Sequence, residues 1–293
     1  MAETWNGKSR GTVLGYKIFV YSIKKLGVST AYLLLYFVAA YFFVFSRKST
    51  KVIFAYFNRR HQFSKTLSFV KVYKSYFKFG QILIDKIAIS SGLRNKFTYE
   101  FDGIENLRTL LKEKKGGVLI SAHVGNFEIA QYFLNELEEK AEISLLTTDL
   151  ERKAIKEYLD SVTVKSDISF IIIKDDLSHI FEINAALAKN QLVCVTGDRY
   201  VEGTKFLESD FLGKKAKFPA GPFLIASRLK VPVVFVYVMK ENKKHYHLFA
   251  RTTQVKHRDS LGLLNTYTKN LEMIVKRYPL QWFNYFDFWE DFK

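Results

Sequence analysis

An α/β fold is what the sequence predicts: a mixed, largely parallel sheet flanked by helices, preceded by a hydrophobic membrane helix and amphipathic helices. Three observations predict it. After about residue 100, short β-rich runs alternate with helical patterns, the texture of helices layered on a sheet. Before that point, the 20 residues from Leu26 to Phe45 carry no charge. The basic excess is confined to the same region: residues 1–99 hold 17 Lys/Arg against only Glu3 and Asp85, although the whole chain has a net charge of +16. The division predicted is a membrane anchor with basic amphipathic helices over 1–99 and an α/β domain over 100–293.

The elements follow in order. As a helix, the uncharged run spans about 30 Å, the thickness of a bilayer hydrocarbon core. Lys24 and Lys25 flank one end and Arg47, Lys48 and Lys51 the other, so loop charge leaves its orientation open. Over 47–92, Phe54, Phe57, Phe63, Leu67, Val70, Tyr73, Phe77 and Ile82 recur at helical spacing among Lys and Arg. That pattern suits helices lying on a membrane surface, or a packing face for the rest of the chain. Strands are predicted at 117–122, 143–148, 168–174, 192–196, 231–239 and 245–252. Helices are predicted at 105–113, 126–138, 150–161, 177–188, 221–228 and 261–277.

Composition excludes several classes. A single cysteine, Cys194, rules out a disulfide framework and a cysteine-rich metal site; in its apolar stretch it reads as a small buried hydrophobe. A basic arm suits nucleic acid or an anionic membrane leaflet. The apolar run inside this arm favours the membrane, and no nucleic-acid partner is expected. There is no G-x-S-x-G elbow, no Walker A loop, no G-x-G-x-x-G and no H-E-x-x-H.

One constellation remains: Ser121-Ala122-His123-Val124-Gly125-Asn126-Phe127-Glu128. It follows the apolar run GGVLISA and opens a helical pattern. Reactive groups cluster at the carboxyl ends of strands in open α/β sheets, and His123 sits at such an end. Asn126 suits an N-cap, which puts Glu128 in the first helical turn. A carboxylate there can accept the Nδ1 proton of His123, fix its tautomer and raise the basicity of Nε2. Nε2 then takes a proton from an attacking hydroxyl. Gly125 permits close backbone approach, and amides at the helix start are candidate oxyanion donors.

These residues carry a resemblance. Phe101-Asp102-Gly103-Ile104-Glu105-Asn106-Leu107, the run from Gly116 to His123, and Gly125-Asn126-Phe127-Glu128 resemble the late lipid A acyltransferases, a branch of the lysophospholipid acyltransferase superfamily. Their signature is a His, four residues, then an acid. Gly197-Asp198-Arg199-Tyr200, Phe211-Leu212-Gly213 with Ala216 and Pro219-Ala220-Gly221-Pro222, Val231-Pro232-Val233-Val234, and Tyr278-Pro279-Leu280-Gln281-Trp282 resemble further family blocks, in family order. Arg199 stands where the family commonly has Gln. The resemblance implies an enzyme anchored in the bacterial inner membrane with its catalytic domain at the cytoplasmic face. It implies an acyl thioester donor on acyl carrier protein and the hydroxyl of a lipid A precursor as acceptor. Relatives acylating other lipid hydroxyls, such as a hydroxyacyl amino acid lipid or a pigment precursor, make a second reading; a non-catalytic lipid-binding module makes a third.

The expected catalytic pair is therefore His123 and Glu128. Expected substrate-binding residues are Gly125, Asn126, Asp198, Arg199, Lys217, Pro219 and Gly221. Asp198 orients Arg199 or a substrate group, and the planar Arg199 fork suits oxyanions. Lys217, with Lys214 and Lys215, forms a basic loop suited to an acidic carrier or lipid phosphate. The small residues around Pro219 and Gly221 leave room for a ligand. No cofactor and no metal is expected: His245 and His247 share a strand face at i and i+2, with no Asp or Glu expected nearby to complete a coordination set.

Overall fold

The computed structural model describes residues 13–130, 132, 142–147, 169–174, 176, 178–201 and 203–292. Contacts divide the chain into two compact units: residues 13–97 with 274–292, and the described residues from 98 to 273.

The first unit is helical. It contains α1 (Val13–Leu26), α2 (Val28–Phe45), α3 (Arg47–Ala55), a π turn at Tyr56–Arg60 and α4 (Lys65–Ala88). The uncharged run is broken at its second residue. Gly27 has φ +87°, so Leu26 closes α1 and α2 begins at Val28. Its 18 residues still reach about 27 Å, and by length and composition it is the one described helix able to cross a membrane. Val28, Ala31, Tyr32, Leu35 and Ala39 are buried, while Leu33, Phe37, Val44 and Phe45 are exposed. The Tyr32 hydroxyl donates to Asp85 of α4, two polar groups that are both buried.

The stripe expected along 47–92 is only partly the inward face. Phe57 and Ile82 are buried, but Leu67 and Val70 are exposed. The buried positions on the first half of α4 are Ser68, Val72, Ser75 and Tyr76. Small and hydroxyl-bearing residues, which hydrophobic periodicity passes over, mark the packed face. Residues 274–292, assigned by sequence to the α/β domain, cluster with these helices. Arg60 donates to both carboxylate oxygens of Asp291 at 2.8 and 2.5 Å. Trp282 and Trp289 pack on Tyr56, with ring centroids 5.1 and 6.4 Å away.

The second unit holds the sheet. Its strands are β1 (Thr98–Asp102), β2 (Gly117–Ser121), β3 (Ile143–Thr147), β4 (Ser169–Ile172), β5 (Leu192–Thr196), β6 (Phe206–Phe211), β7 (Lys214–Pro219), β8 (Val233–Lys240) and β9 (His245–Thr253). Seven form one mixed sheet in the order β1-β9-β8-β2-β5-β3-β4. Every neighbouring pair is parallel except β8–β9. β2 is buried at every position, as its unbroken apolar run requires of a parallel strand covered on both faces.

Helices α5 (Ile104–Lys112), α6 (His179–Ala188), α7 (Ala220–Arg228) and α8 (Ser260–Arg277) complete the described α-helices. α5 buries Leu107, Leu110 and Leu111, one face at helical spacing. β1 and the antiparallel β6–β7 hairpin were not expected from the sequence. The lysines of β7, Lys214, Lys215 and Lys217, and the short, mostly polar β1 lack the continuous apolar run that marks the inner strands. Of the helix expected at 126–138, a 3₁₀ turn at Phe127–Ile129 is described. Most of the remainder, and the helix expected at 150–161, lie outside the described residues.

Candidate active site

β2 and β5 are parallel neighbours with Ser121 opposite Thr196. Carrying that register two residues beyond the strands brings His123 level with Asp198. The contact is close: His123 Nδ1 lies 2.7 Å from Asp198 Oδ1. The backbone N–H of His123 also donates to the same carboxylate, at 3.0 and 3.1 Å. Asp198 is fully buried, while the His123 side chain is 26% exposed. A carboxylate can only accept, so Nδ1 carries the proton and Nε2 keeps its lone pair. The sequence expectation gave this Nδ1 contact to Glu128; in the structure it belongs to Asp198, which accordingly orients the histidine.

Glu128 lies in the first turn after Asn126, and its charge acts on His123. The net shift is nonetheless opposite to the expected one. Burial, then the Arg199 guanidinium, lower the His123 pKa, and Asp198 and Glu128 only partly oppose them. Arg199 is itself brought down to about 10, chiefly by burial and against the pull of Asp198, so it remains a cation at neutral pH.

Gly125 has φ +54°, and a Cβ there would stand 2.0 Å from the Val238 carbonyl oxygen. Only glycine fits this turn. Asn126 occupies the N-cap position without a side-chain cap hydrogen bond. Its N–H donates to the Val238 carbonyl at 2.8 Å. The amides of His123 and Asn126 are thus committed within the protein.

Beside the turn, an apolar cavity of about 50 Å³ is lined by Leu119, Phe127, Ile143, Cys194 and Phe249, with Glu128 and Tyr237 as polar members. Cys194 is a buried free thiol whose pKa burial pushes up to about 12, so it is an inert part of the wall. The site therefore offers an unprotonated Nε2 on His123, the charge of Arg199 acting on it, and an apolar cavity bordered by Glu128.

A family profile described as bacterial lipid A biosynthesis acyltransferase matches residues 9–289. The chain belongs to this family. Comparison with curated proteins gave no match. The family description assigns its members to acyl transfer in lipid A biosynthesis.

Within this lipid A acyltransferase family member, the remaining expected residues sit on two elements. Lys217 is on β7, its ammonium 5.1 Å from the Phe206 ring centroid. Pro219 is the N-cap residue of α7 and Gly221 lies in its first turn with open space beside it. α7 reaches the site through Phe223, whose ring packs 5.2 Å from Tyr267.

Two tyrosines escaped the sequence reading. The Tyr267 hydroxyl donates to the Ser121 carbonyl at 2.9 Å, bracing the end of β2 from α8. Tyr237, on the strand next to β2, has a buried hydroxyl with no hydrogen-bond partner among the described residues. Burial first, and the Asp198 charge second, hold both phenols well above their usual pKa. Neither residue has a sequence signal; the strand order brings Tyr237 here, and the packing of α8 brings Tyr267. The expectation that no acid accompanies His245 and His247 is also overturned: Glu100 and Glu241 stand beside them.

Proposed function

We propose that the protein transfers a fatty acyl group from an acyl thioester, carried on acyl carrier protein, to a hydroxyl of lipid A or its precursor. His123 is the general base. The observation that carries this reading is the His123–Asp198 contact at the carboxyl end of β2, which leaves Nε2 as the acceptor. Nε2 takes the proton of the acceptor hydroxyl as its oxygen attacks the thioester carbonyl carbon. The tetrahedral oxyanion collapses, the C–S bond breaks, and the thiolate takes the proton back from the imidazolium. Atoms and protons balance without a protein nucleophile, a nucleotide or a metal.

Asp198 holds the tautomer and Glu128 adds negative charge that favours the transient imidazolium. Arg199 is the cation available to the oxyanion or to a phosphate of the carrier arm or lipid. The cavity beside Glu128 takes the end of an acyl chain. On the same measure a water needs about 10–15 Å³, so about 50 Å³ does not hold a whole chain. Lys214, Lys215 and Lys217 on the β6–β7 hairpin suit an acidic carrier protein. α2 and the basic helices after it anchor the enzyme in the bacterial inner membrane, with the catalytic domain at the cytoplasmic face. The exposed apolar positions of α2 support this reading.

Arg199, in the position where the family commonly has Gln, favours one second reading: a different lipid hydroxyl, such as that of a hydroxyacyl amino acid lipid, as acceptor. Assaying purified protein with acyl carrier protein thioester and each class of lipid separates the two. Transfer to neither lipid, or undiminished transfer by His123→Ala, would refute the proposal.

A further inference from the structure

A second cluster of titratable side chains lies at the same edge of the sheet as His123. β9 runs antiparallel to β8, and β1 parallel to β9. Their first residues therefore lie at the edge where β2, β5 and β8 end. β8 alone separates β9 from β2, roughly 10 Å at ordinary strand spacing. Glu100 is the register partner of His247, and Thr98 that of His245. Glu241 follows β8 and donates its N–H to the His245 carbonyl at 3.0 Å.

The side chains converge. His247 Nδ1 lies 2.8 Å from Glu100 Oε1 and 3.6 Å from Glu241 Oε1. His245 Nε2 lies 3.8 Å from the same Glu100 oxygen. One ligand atom from each of Glu100, Glu241 and His247 falls within 4.8 Å of the other two.

Two features distinguish this cluster from ordinary surface ion pairing. First, His247 Nδ1 is buried and makes no hydrogen bond among the described residues, its 2.8 Å approach to Glu100 being outside hydrogen-bond geometry. Its ring is held by stacking on Phe249 at 4.1 Å. Second, His245 Nδ1 lies 2.8 Å from Thr98 Oγ1. If Nδ1 donates there, Nε2 turns its lone pair toward Glu100. An outer hydrogen bond of this kind is how proteins fix a metal-binding histidine.

We propose that Glu100, Glu241, His245 and His247 form a site for a divalent transition metal of the zinc class. Two imidazoles and two carboxylates are a four-coordinate set that zinc accepts. Two carboxylates balance the charge of a divalent ion. The ion would staple the edge strand β1 to the β8–β9 hairpin. It lies apart from the His123 site, so acyl transfer does not require it as a catalyst.

The test uses the full chain in detergent, stripped with EDTA and titrated with zinc against a chromophoric chelator. One zinc should bind per chain, and cobalt in its place should give the intense visible bands of a four-coordinate ion. Glu100→Gln, at a half-exposed strand position, and His247→Gln should each weaken binding by well over tenfold with circular dichroism unchanged. Thr98→Val should weaken it by about tenfold. His123→Ala should bind zinc as tightly as wild type. Zinc affinity in Glu100→Gln and His247→Gln equal to wild type, or no zinc bound above the chelator background, would overturn the proposal.

Discussion

Replacing Asp198 by Asn tests the geometry at His123 most sharply. The substitution keeps size and shape but removes the charge. The carboxylate now accepts from Nδ1 at 2.7 Å and from the His123 amide at 3.0 Å, in full burial. A hydrogen bond to a charged group contributes about 1.5–3 kcal/mol, which corresponds to roughly 10- to 150-fold in rate. An amide can also present its NH₂ to Nδ1, which would move the proton to Nε2 and remove the base. We therefore expect kcat/KM to fall by about 100-fold or more. The pH dependence supplies a second readout. Asp198 raises the His123 pKa, while burial and Arg199 lower it. Without Asp198 only Glu128 opposes the lowering effects, and the ascending limb of the pH–rate profile should move to lower pH. Arg199→Gln removes a lowering effect, so its limb should move to higher pH. Initial rates of acyl transfer across pH, with both variants checked for fold, measure this. Activity of Asp198→Asn near wild type, or limbs moving in the same direction, would refute the reasoning.

Further outcomes follow from the same structure. Glu128→Gln should lose less activity than His123→Ala in the same assay, because Asp198 still holds the tautomer; equal losses would give Glu128 a larger role. Gly125→Ala should destabilise the chain by about 1–3 kcal/mol for the left-handed backbone alone, with the Val238 carbonyl clash added; a wild-type thermal melt would contradict this. Deleting residues 1–46 should leave part of the protein on membranes in a salt-sensitive form, because the basic helices after α2 remain; sedimentation of membranes at low and high salt reads it.

The motif from Ser121 to Glu128 was legible because its cues are local: an apolar strand, a glycine turn and a capping position. The mixed, largely parallel sheet was legible from alternating patterns for the same reason. The partner of His123 was not. Asp198 lies 75 residues away, and only the β2–β5 register makes them neighbours. Glu128, four residues beyond Val124, was the nearest acid in sequence and so attracted the assignment. Long-range pairing also hid Glu100 of β1 beside His245 and His247, whereas Glu241 lies just before them in sequence and was passed over because the turn between β8 and β9 is what folds it back onto them. In α4, Ser68 and Ser75 mark the buried face that periodicity of large apolar residues misplaced. The direction of the His123 pKa was misread because burial and Arg199 are not visible in a linear spacing.

The central claim is that His123 takes the acceptor proton during acylation of lipid A or its precursor. Mass spectrometry of lipid A from a strain lacking this protein, complemented with wild type or with His123→Ala, tests it directly. The deletion should leave lipid A short by one acyl chain. Wild type should restore the chain and His123→Ala should not. Lipid A unchanged by the deletion, or restored by His123→Ala, would contradict it.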